Sequence, residues 1–399
     1  MSLLEIKIMK NFICSFFSCV FLGMFVNAQT YQIGHTTLTF VDASRSNRSI
    51  ATEIYYPADV AGDNVPMTTQ NSIQFPSLVF GHGFVMTWDA YQNFWQALVP
   101  NGYIIAFPKT EGSFSPSHSE YGKDLAFVIG QLNLQGTLAS SIFYNRVSSM
   151  NAVMGHSMGG GASFLAVPFN SNIKTIVNFA PAETNPSAVA AAANVSIPAL
   201  IFSGGNDCVT PPSTNQIPMY NALTSLCKTY ISITGGSHCQ MANSNGFCSI
   251  GESTCSPSPT ISRSVQHSKL FSYLIPWLEF QLKGNCSQGA VFDSQILADA
   301  SITYQKNCIQ CTNLQTGEIS NELEGLVIFP NPVKDYFSIK GVHQKEYTIQ
   351  VFDINSKMLF NKKFNELLTI DTSVISSGIY LYEIKDADNK STKGKFIKQ

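Results

Sequence analysis

A chain of 399 residues has room for a large buried core and for more than one domain. Its formal net charge of −2 excludes a nucleic-acid surface or a strongly acidic partner as its organising feature. Charged residues make up only 13% of the chain, so Ser, Thr, Asn and Gln supply much of the polar surface, as suits an extracellular protein.

The first 28 residues read as an export signal. Lys7 and Lys10 form a basic start, Phe12 to Val26 is almost wholly apolar, and Val26-Asn27-Ala28 offers a cleavage site before Gln29. The apolar run is short for a membrane anchor, and polar sequence follows at once. Cleavage removes Cys14 and Cys19 and leaves Cys208, Cys227, Cys239, Cys248, Cys255, Cys286, Cys308 and Cys311. An even number of cysteines in an exported chain reads as a disulfide set. Cys308-Ile309-Gln310-Cys311 has half the pattern of a zinc site, but no second Cys pair or His pair accompanies it. No metal and no organic cofactor is expected.

Tyr31 to Phe40 and Ile50 to Tyr56 carry alternating, β-branched or aromatic residues, which predicts an opening pair of antiparallel strands. Short unbroken apolar runs follow at Leu78 to Phe80, Ile104 to Phe107, Ala152 to Met154, Thr175 to Val177, Ala199 to Phe202 and Tyr230 to Ile233. Such runs mark strands buried on both faces, and their spacing leaves room for a crossover helix each time. Helical spacing is present at Tyr91 to Leu98, Asp124 to Leu134 and Arg263 to Leu282, the last containing Pro276. The sum is an α/β fold, a mostly parallel central sheet flanked by helices, in which function collects at the carboxyl ends of the strands.

Residues 312–325 are polar, and beyond them the composition changes to lysine-rich sequence without Cys or Trp. Short strand patterns at Leu326 to Phe329, Tyr336 to Ile339, Tyr347 to Phe352, Met358 to Phe360, Leu367 to Ile370 and Ile379 to Ile384 predict a small β-sandwich. The expected plan is a signal peptide at 1–28, a catalytic domain at 29–312, a linker at 313–325 and the sandwich at 326–399. Phe329-Pro330-Asn331-Pro332, Val351-Phe352-Asp353, Ser377-Gly378-Ile379-Tyr380 and Gly394-Lys395-Phe396-Ile397-Lys398 resemble the C-terminal sorting domain of the type IX secretion system. The resemblance implies recognition by that machinery and delivery across the outer membrane to the cell surface or medium. An adhesive or carbohydrate-binding sandwich is the competing reading of this tail.

The chemistry is concentrated at Gly155-His156-Ser157-Met158-Gly159, a Gly-x-Ser-x-Gly placed between a predicted strand and a helix. This is the pattern of a nucleophile elbow, and in that arrangement an acid and then a histidine follow the serine along the chain. Between Ser157 and His238 the carboxylates are Glu183 and Asp207, and Asp207 is favoured because it follows the strand ending at Phe202 across a short turn. His238 follows Gly235-Gly236-Ser237 directly after the next strand, and the four histidines before the serine fall out of order. A serine hydroxyl is a weak nucleophile until a base takes its proton. Ser157, Asp207 and His238 are therefore the candidate triad. Backbone N–H groups of Met158 and Phe84, the latter in Gly81-His82-Gly83-Phe84, are the candidate oxyanion donors. Trp88 is a candidate substrate contact that also reads as a packing residue. A disulfide between Cys208 and Cys239, each next to a triad residue, is one favoured pairing. Cys248 with Cys255, and Cys286 with Cys308 or Cys311, complete that expectation.

Gly155 to Gly161, Phe202 with Asn206-Asp207, and Gly236-Ser237-His238 resemble the cutinase-like polyester hydrolases, a group of α/β-hydrolases that includes enzymes cleaving poly(ethylene terephthalate). The resemblance implies a shallow open groove accepting bulky esters, and through it alone Phe84, His156 and Ala182 are candidate substrate contacts. Polyester hydrolases usually carry Tyr where Phe84 stands here, and commonly Trp where Ala182 stands. The expectation is a monomeric secreted serine ester hydrolase acting on an ester or polyester. A lipase, phospholipase or general carboxylesterase is the alternative within enzymes, and an inactive binding scaffold the alternative outside them.

Overall fold

The computed structural model describes residues 31–70, 72–308, 326–329, 331–340, 345–353, 357–387 and 391–399. The expected signal peptide and linker lie outside them. The described residues up to Cys308 form one compact unit and those from Leu326 a second.

In the first unit Gln32–Asp42 (β1) and Arg48–Ala58 (β2) pair antiparallel, Gln32 opposite Ala58 and Asp42 opposite Arg48, and the short Gly62–Asp63 (β3) lies beside β1. Phe75–Gly81 (β4), Ile104–Pro108 (β5), Val147–His156 (β6), Ile173–Phe179 (β7), Ala199–Gly204 (β8) and Cys227–Ile233 (β9) run parallel to one another. Ile302–Cys308 (β10) closes one edge antiparallel to β9. Among the described residues the sheet order is β10-β9-β8-β7-β6-β4-β5-β2-β1-β3.

The helices are Gln92–Leu98 (α1), His118–Gln135 (α2), Met158–Ala166 (α3), Ala188–Ala192 (α4), Gln216–Ala222 (α5), Gly246–Glu252 (α6), Arg263–Lys283 (α7) and Cys286–Ala298 (α8). Their starts are written locally. Ser117 caps α2 by accepting from the Glu120 N–H, and Ser262 caps α7 through Val265 N–H. The C-terminus of α7 is set by Gly284 at φ 68°.

The unbroken apolar runs are explained by cover on both faces. Val79, Val153, Ile176 and Ile201 pack with Tyr121, Leu125 and Ala162 from α2 and α3. Their neighbours Leu78, Phe80, Met154, Val177, Phe179 and Phe202 pack with Phe94 of α1 and with Leu270, Tyr273 and Trp277 of α7. Successive strand residues point to opposite faces, so each run feeds both cores. Each such Leu, Ile or Phe contributes about 1.5–3 kcal/mol through burial.

Two elements depart from the expected order. The shorter helix α8 and the edge strand β10 follow α7, and neither is among the expected elements. Both read poorly in sequence: α8 buries mainly Phe292 and Ile296, and β10 buries Ile302 while Thr303, Tyr304 and Gln305 face outward.

The second unit has a three-stranded sheet of Val327–Phe329 (β11), Tyr336–Lys340 (β12) and Leu367–Asp371 (β15), in the order β11-β12-β15. A four-stranded sheet is made by Tyr347–Phe352 (β13), Met358–Phe364 (β14), Gly378–Asp386 (β16) and Ser391–Lys398 (β17), in the order β14-β13-β16-β17. All pairings within these sheets are antiparallel, and Phe337, Ile349, Val351, Ile384 and Phe396 share one core, giving the small β-sandwich.

Candidate active site

β6 ends at His156 and α3 begins at Met158, so Ser157 alone makes the turn, with φ 54° and ψ −119°. That backbone conformation is strained for a residue with a Cβ and holds only when its surroundings fix it. Here the Ser157 N–H donates to Phe179 O at 3.0 Å, and Ser157 O accepts from Ala182 N–H at 2.9 Å and Gly161 N–H at 3.0 Å. The flanking glycines are required by close approach. A Cβ on Gly155 would stand 2.3 Å from Gly159 O, and one on Gly159 2.2 Å from the Gly81 carbonyl. The same approach brings the loop after β4 against the first turn of α3.

β6, β7, β8 and β9 are adjacent and parallel, so the segments following β6, β8 and β9 leave the sheet on one edge. Asp207 and His238 lie on the segments after β8 and β9, which are laced by Gly205 N–H to Ile233 O and Asn206 N–H to Gly236 O, both 2.8 Å. Asp207 Oδ2 and His238 Nδ1 are 2.9 Å apart, and both residues are buried. Asp207 Oδ1 accepts from Thr210 N–H at 2.8 Å, and Oδ2 from the Thr210 hydroxyl at 2.9 Å. Acid and base are thus hydrogen-bonded, whereas Ser157 Oγ makes no hydrogen bond to the His238 ring among the described residues. Such contacts often tighten only with substrate. Glu183, the other carboxylate in sequence range, is exposed and accepts the Val189 N–H.

A relay of hydrogen bonds supports the site from beneath. Gly83 N–H donates to Tyr91 Oη at 2.7 Å, Tyr91 Oη lies 3.0 Å from His156 Nδ1, and His156 Nε2 lies 3.2 Å from His238 O. The carbonyl can only accept, so Nε2 carries the proton and Nδ1 takes the Tyr91 hydroxyl. Burial, aided by the neighbouring His238, holds the His156 pKa well below the ordinary histidine value, which keeps the ring neutral. His82 is buried, its ring nitrogens 2.9 Å from Gly83 O and Thr110 O, of which a neutral ring donates to one, and burial lowers its pKa too. It has the structural role.

The candidate oxyanion donors lie on the two segments in contact, Met158 at the first position of α3 and Phe84 after Gly83. A helix N-terminus leaves such N–H groups free for an anion. Of the candidate substrate contacts, Phe84 is 46% exposed and Ala182 half-buried beside Ser157. His156 is corrected: it is wholly buried and supports the His238 segment, offering no surface to a substrate. Trp88 is half-buried in a stack with His35, Tyr55 and Trp95, the packing role.

Several residues of the site were not singled out in the sequence. Thr210 and Tyr91 are named above. Gln266 of α7 holds Ser237 by both backbone groups, at 2.9 and 2.8 Å. Phe114 and Phe247 stand exposed, Phe114 in contact with both Phe84 and Phe247. Only Thr210 had a local signal, three residues after the acid.

The disulfides correct the expected pairs Cys208–Cys239, Cys248–Cys255 and Cys286–Cys308, while the alternative Cys286–Cys311 lies partly outside the described residues. Cys208 bonds Cys255, Cys239 bonds Cys248 and Cys227 bonds Cys308, while Cys286 is also disulfide-bonded. The cysteines beside acid and base are thus tied not to each other but to one segment carrying α6. Cys227 and Cys308 are register partners in the β9–β10 pair, a strand pair that the sequence reading lacked. Among the described residues no group of His, Cys, Asp and Glu has the arrangement of a metal site.

Residues 26–256 match the family model described as PET hydrolase-like, and residues 327–399 match a secretion system C-terminal sorting domain. Cutinase 1 of Thermobifida cellulosilytica is 34% identical over 27% of this chain and 40% of its own length. The cutinase of Thermobifida fusca (strain YX) is 34% identical over 27% of this chain and 35% of its own. A bis(hydroxyethyl) terephthalate hydrolase of Streptomyces coelicolor is 23% identical over 48% of this chain and 56% of its own length. The chain therefore spans well under two thirds of these relatives.

Proposed function

Because the chain belongs to the PET hydrolase-like family, we propose that it is a secreted serine carboxylic-ester hydrolase acting on polyesters such as poly(ethylene terephthalate) or on other bulky esters. The observation that carries the proposal is the buried 2.9 Å bond between Asp207 and His238, on the strand edge that also bears the strained Ser157. His238 Nε2 removes the hydroxyl proton as Ser157 Oγ attacks the ester carbonyl. Asp207 fixes the tautomer and stabilises the imidazolium. Met158 and Phe84 N–H groups receive the negative charge on the carbonyl oxygen. The alcohol leaves with the proton from His238, and water, activated by the same ring, releases the acid from the acyl-enzyme. The C-terminal unit, a type IX sorting domain, supports export as the route to an extracellular substrate.

Turnover of a p-nitrophenyl ester by the protein and by Ser157→Ala tests the chemistry. A fall of at least about a thousandfold is expected, and equal rates would leave a binding scaffold. Product release from an amorphous polyester film against fatty-acid release from a triglyceride emulsion tests the substrate. Consumption of the emulsion without release from the film would make the enzyme a lipase.

A further inference from the structure

Three phenylalanines from separate segments meet at the surface, Phe114 in contact with both of the others. Phe84 belongs to the candidate oxyanion loop, Phe114 lies between β5 and α2, and Phe247 opens α6. Phe84 and Phe114 have ring centroids 6.2 Å apart at 78°, and Phe114 and Phe247 are 6.4 Å apart at 80°. Both pairs are edge-to-face, the arrangement favoured by the aromatic quadrupole. Yet the rings remain 46%, 76% and 56% exposed, so these contacts do not bury them.

Single exposed apolar residues are ordinary, but three large exposed rings joined by successive edge-to-face contacts are not. Their supports are cross-linked to the rest of the unit. The loop carrying Phe114 is pinned through Glu111, which accepts from Arg48 Nη2 at 2.6 Å and from Ser117 N–H. The segment carrying Phe247 is held at Cys248 and Cys255 by disulfides to the residues that follow His238 and Asp207. The surroundings are nearly uncharged: residues 112–118 contain no Asp, Glu, Lys or Arg, and residues 239–262 contain Glu252 alone. Such sequence around the rings suits a neutral ligand. The series begins at Phe84, whose own N–H is a candidate oxyanion donor, so whatever lies along it continues into the proposed ester site.

We infer that Phe84, Phe114 and Phe247 form an aromatic rail on which the aromatic units of a neutral polyester chain stack while one of its esters reaches Ser157. Phe114 and Phe247 are then specificity determinants for aromatic over aliphatic polyesters. Edges and faces left open between the three rings offer further edge-to-face contacts to an aromatic unit, which an aliphatic chain cannot reciprocate. This inference rests on the polyester-hydrolase reading above.

The test compares the parent with Phe114→Ala/Phe247→Ala, Phe114→Leu/Phe247→Leu and Phe114→Tyr/Phe247→Tyr on three substrates. These are poly(ethylene terephthalate) film, poly(ε-caprolactone) film and soluble p-nitrophenyl butyrate. The Ala and Leu pairs should each lose at least about fivefold more rate on the aromatic film than on the aliphatic film, and the Tyr pair should keep the parent's ratio. Melting curves like the parent's would keep misfolding apart from lost recognition. An equal loss on both films, no loss on either, or full recovery by the Leu pair overturns the rail. A parent that turns over the soluble ester but releases nothing from either film overturns the polyester reading, and the rail with it. A parent active on both films whose Ala pair keeps the parent's ratio overturns the rail alone.

Discussion

Thr210 is the residue on which the acid–base pair closes. Its hydroxyl has one proton and lies 2.9 Å from Asp207 Oδ2, 3.0 Å from His238 Nδ1 and 3.2 Å from Ala180 O. The nearest acceptor is the carboxylate, so the proton goes there, and the hydroxyl oxygen remains open to His238 Nδ1–H and to Gln216 Nε2 at 3.2 Å. Thr210→Val keeps the shape and removes these bonds, leaving a buried carboxylate with one partner fewer. We expect kcat on a soluble ester to fall about tenfold, a rise of about 1.4 kcal/mol in the barrier, and Thr210→Ser to recover most of it. An unchanged kcat in Thr210→Val would mean that Asp207 and His238 hold their geometry unaided. At this scale the sequence was half legible. Ser157, Asp207 and His238 could be singled out as candidates because the chain order of the nucleophile-elbow pattern tests each residue against composition, and the structure bonds Asp207 to His238. Thr210 lies three residues after Asp207 and left that one local signal, whereas Gln266, Phe114 and Phe247 meet partners far along the chain, and no spacing announces them.

At the scale of elements, the segment from Cys239 to Cys255 acts as a brace. It carries α6, and through Cys239–Cys248 and Cys208–Cys255 it is fastened beside both members of the Asp207–His238 pair. Glu252 of α6 adds a bond from Cys239 N–H at 3.1 Å, and Arg263 Nη1 donates to Cys239 O and Ala242 O. The two disulfides should differ in worth, since one spans 47 residues and the other 9. In the chain-entropy account the longer loop stabilises by about 1.5 kcal/mol more. Cys208→Ser/Cys255→Ser should therefore lower the free energy of urea unfolding more than Cys239→Ser/Cys248→Ser does; the reverse order would show that native-state contacts, not loop closure, set the difference. Elements with a strong pattern were readable for two reasons: burial on both faces makes β4 to β9 unbroken apolar runs, and burial of one face gives α7 its helical period. α8 and β10 were not, because an edge strand with one buried residue and a helix with few apolar positions leave little pattern to read. The Cys227–Cys308 bond went unforeseen for the same reason.

For the catalytic unit as a whole, stability in mild acid should be governed by histidines that the fold keeps neutral. Burial lowers the pKa of His82, His156 and His267 below the ordinary value. Each lowered group binds its proton more readily in the unfolded chain than in the folded one. Stability is therefore fully present above the unfolded value of about 6.5 and is lost as pH falls below it. Carboxylates held low by their partners, such as Glu53, where hydrogen bonds from Lys109, Thr37 and His35 outweigh burial, act only at lower pH, below about 4.5. The window between about pH 6.5 and 5 thus reports on the histidines. A group that stays neutral when folded costs about 1.4 kcal/mol on going from pH 7.5 to 5.5. His156→Gln offers a donor to His238 O and an acceptor to Tyr91 but no titrating nitrogen. The parent's unfolding free energy should drop between these two pH values, and the drop in His156→Gln should be smaller by about 1.4 kcal/mol, whatever its absolute stability. Parallel pH dependence in the two proteins would show that His156 takes up a proton in the folded state despite its burial, and would break the hydrogen-bond directions from Gly83 to His238 on which the site is built.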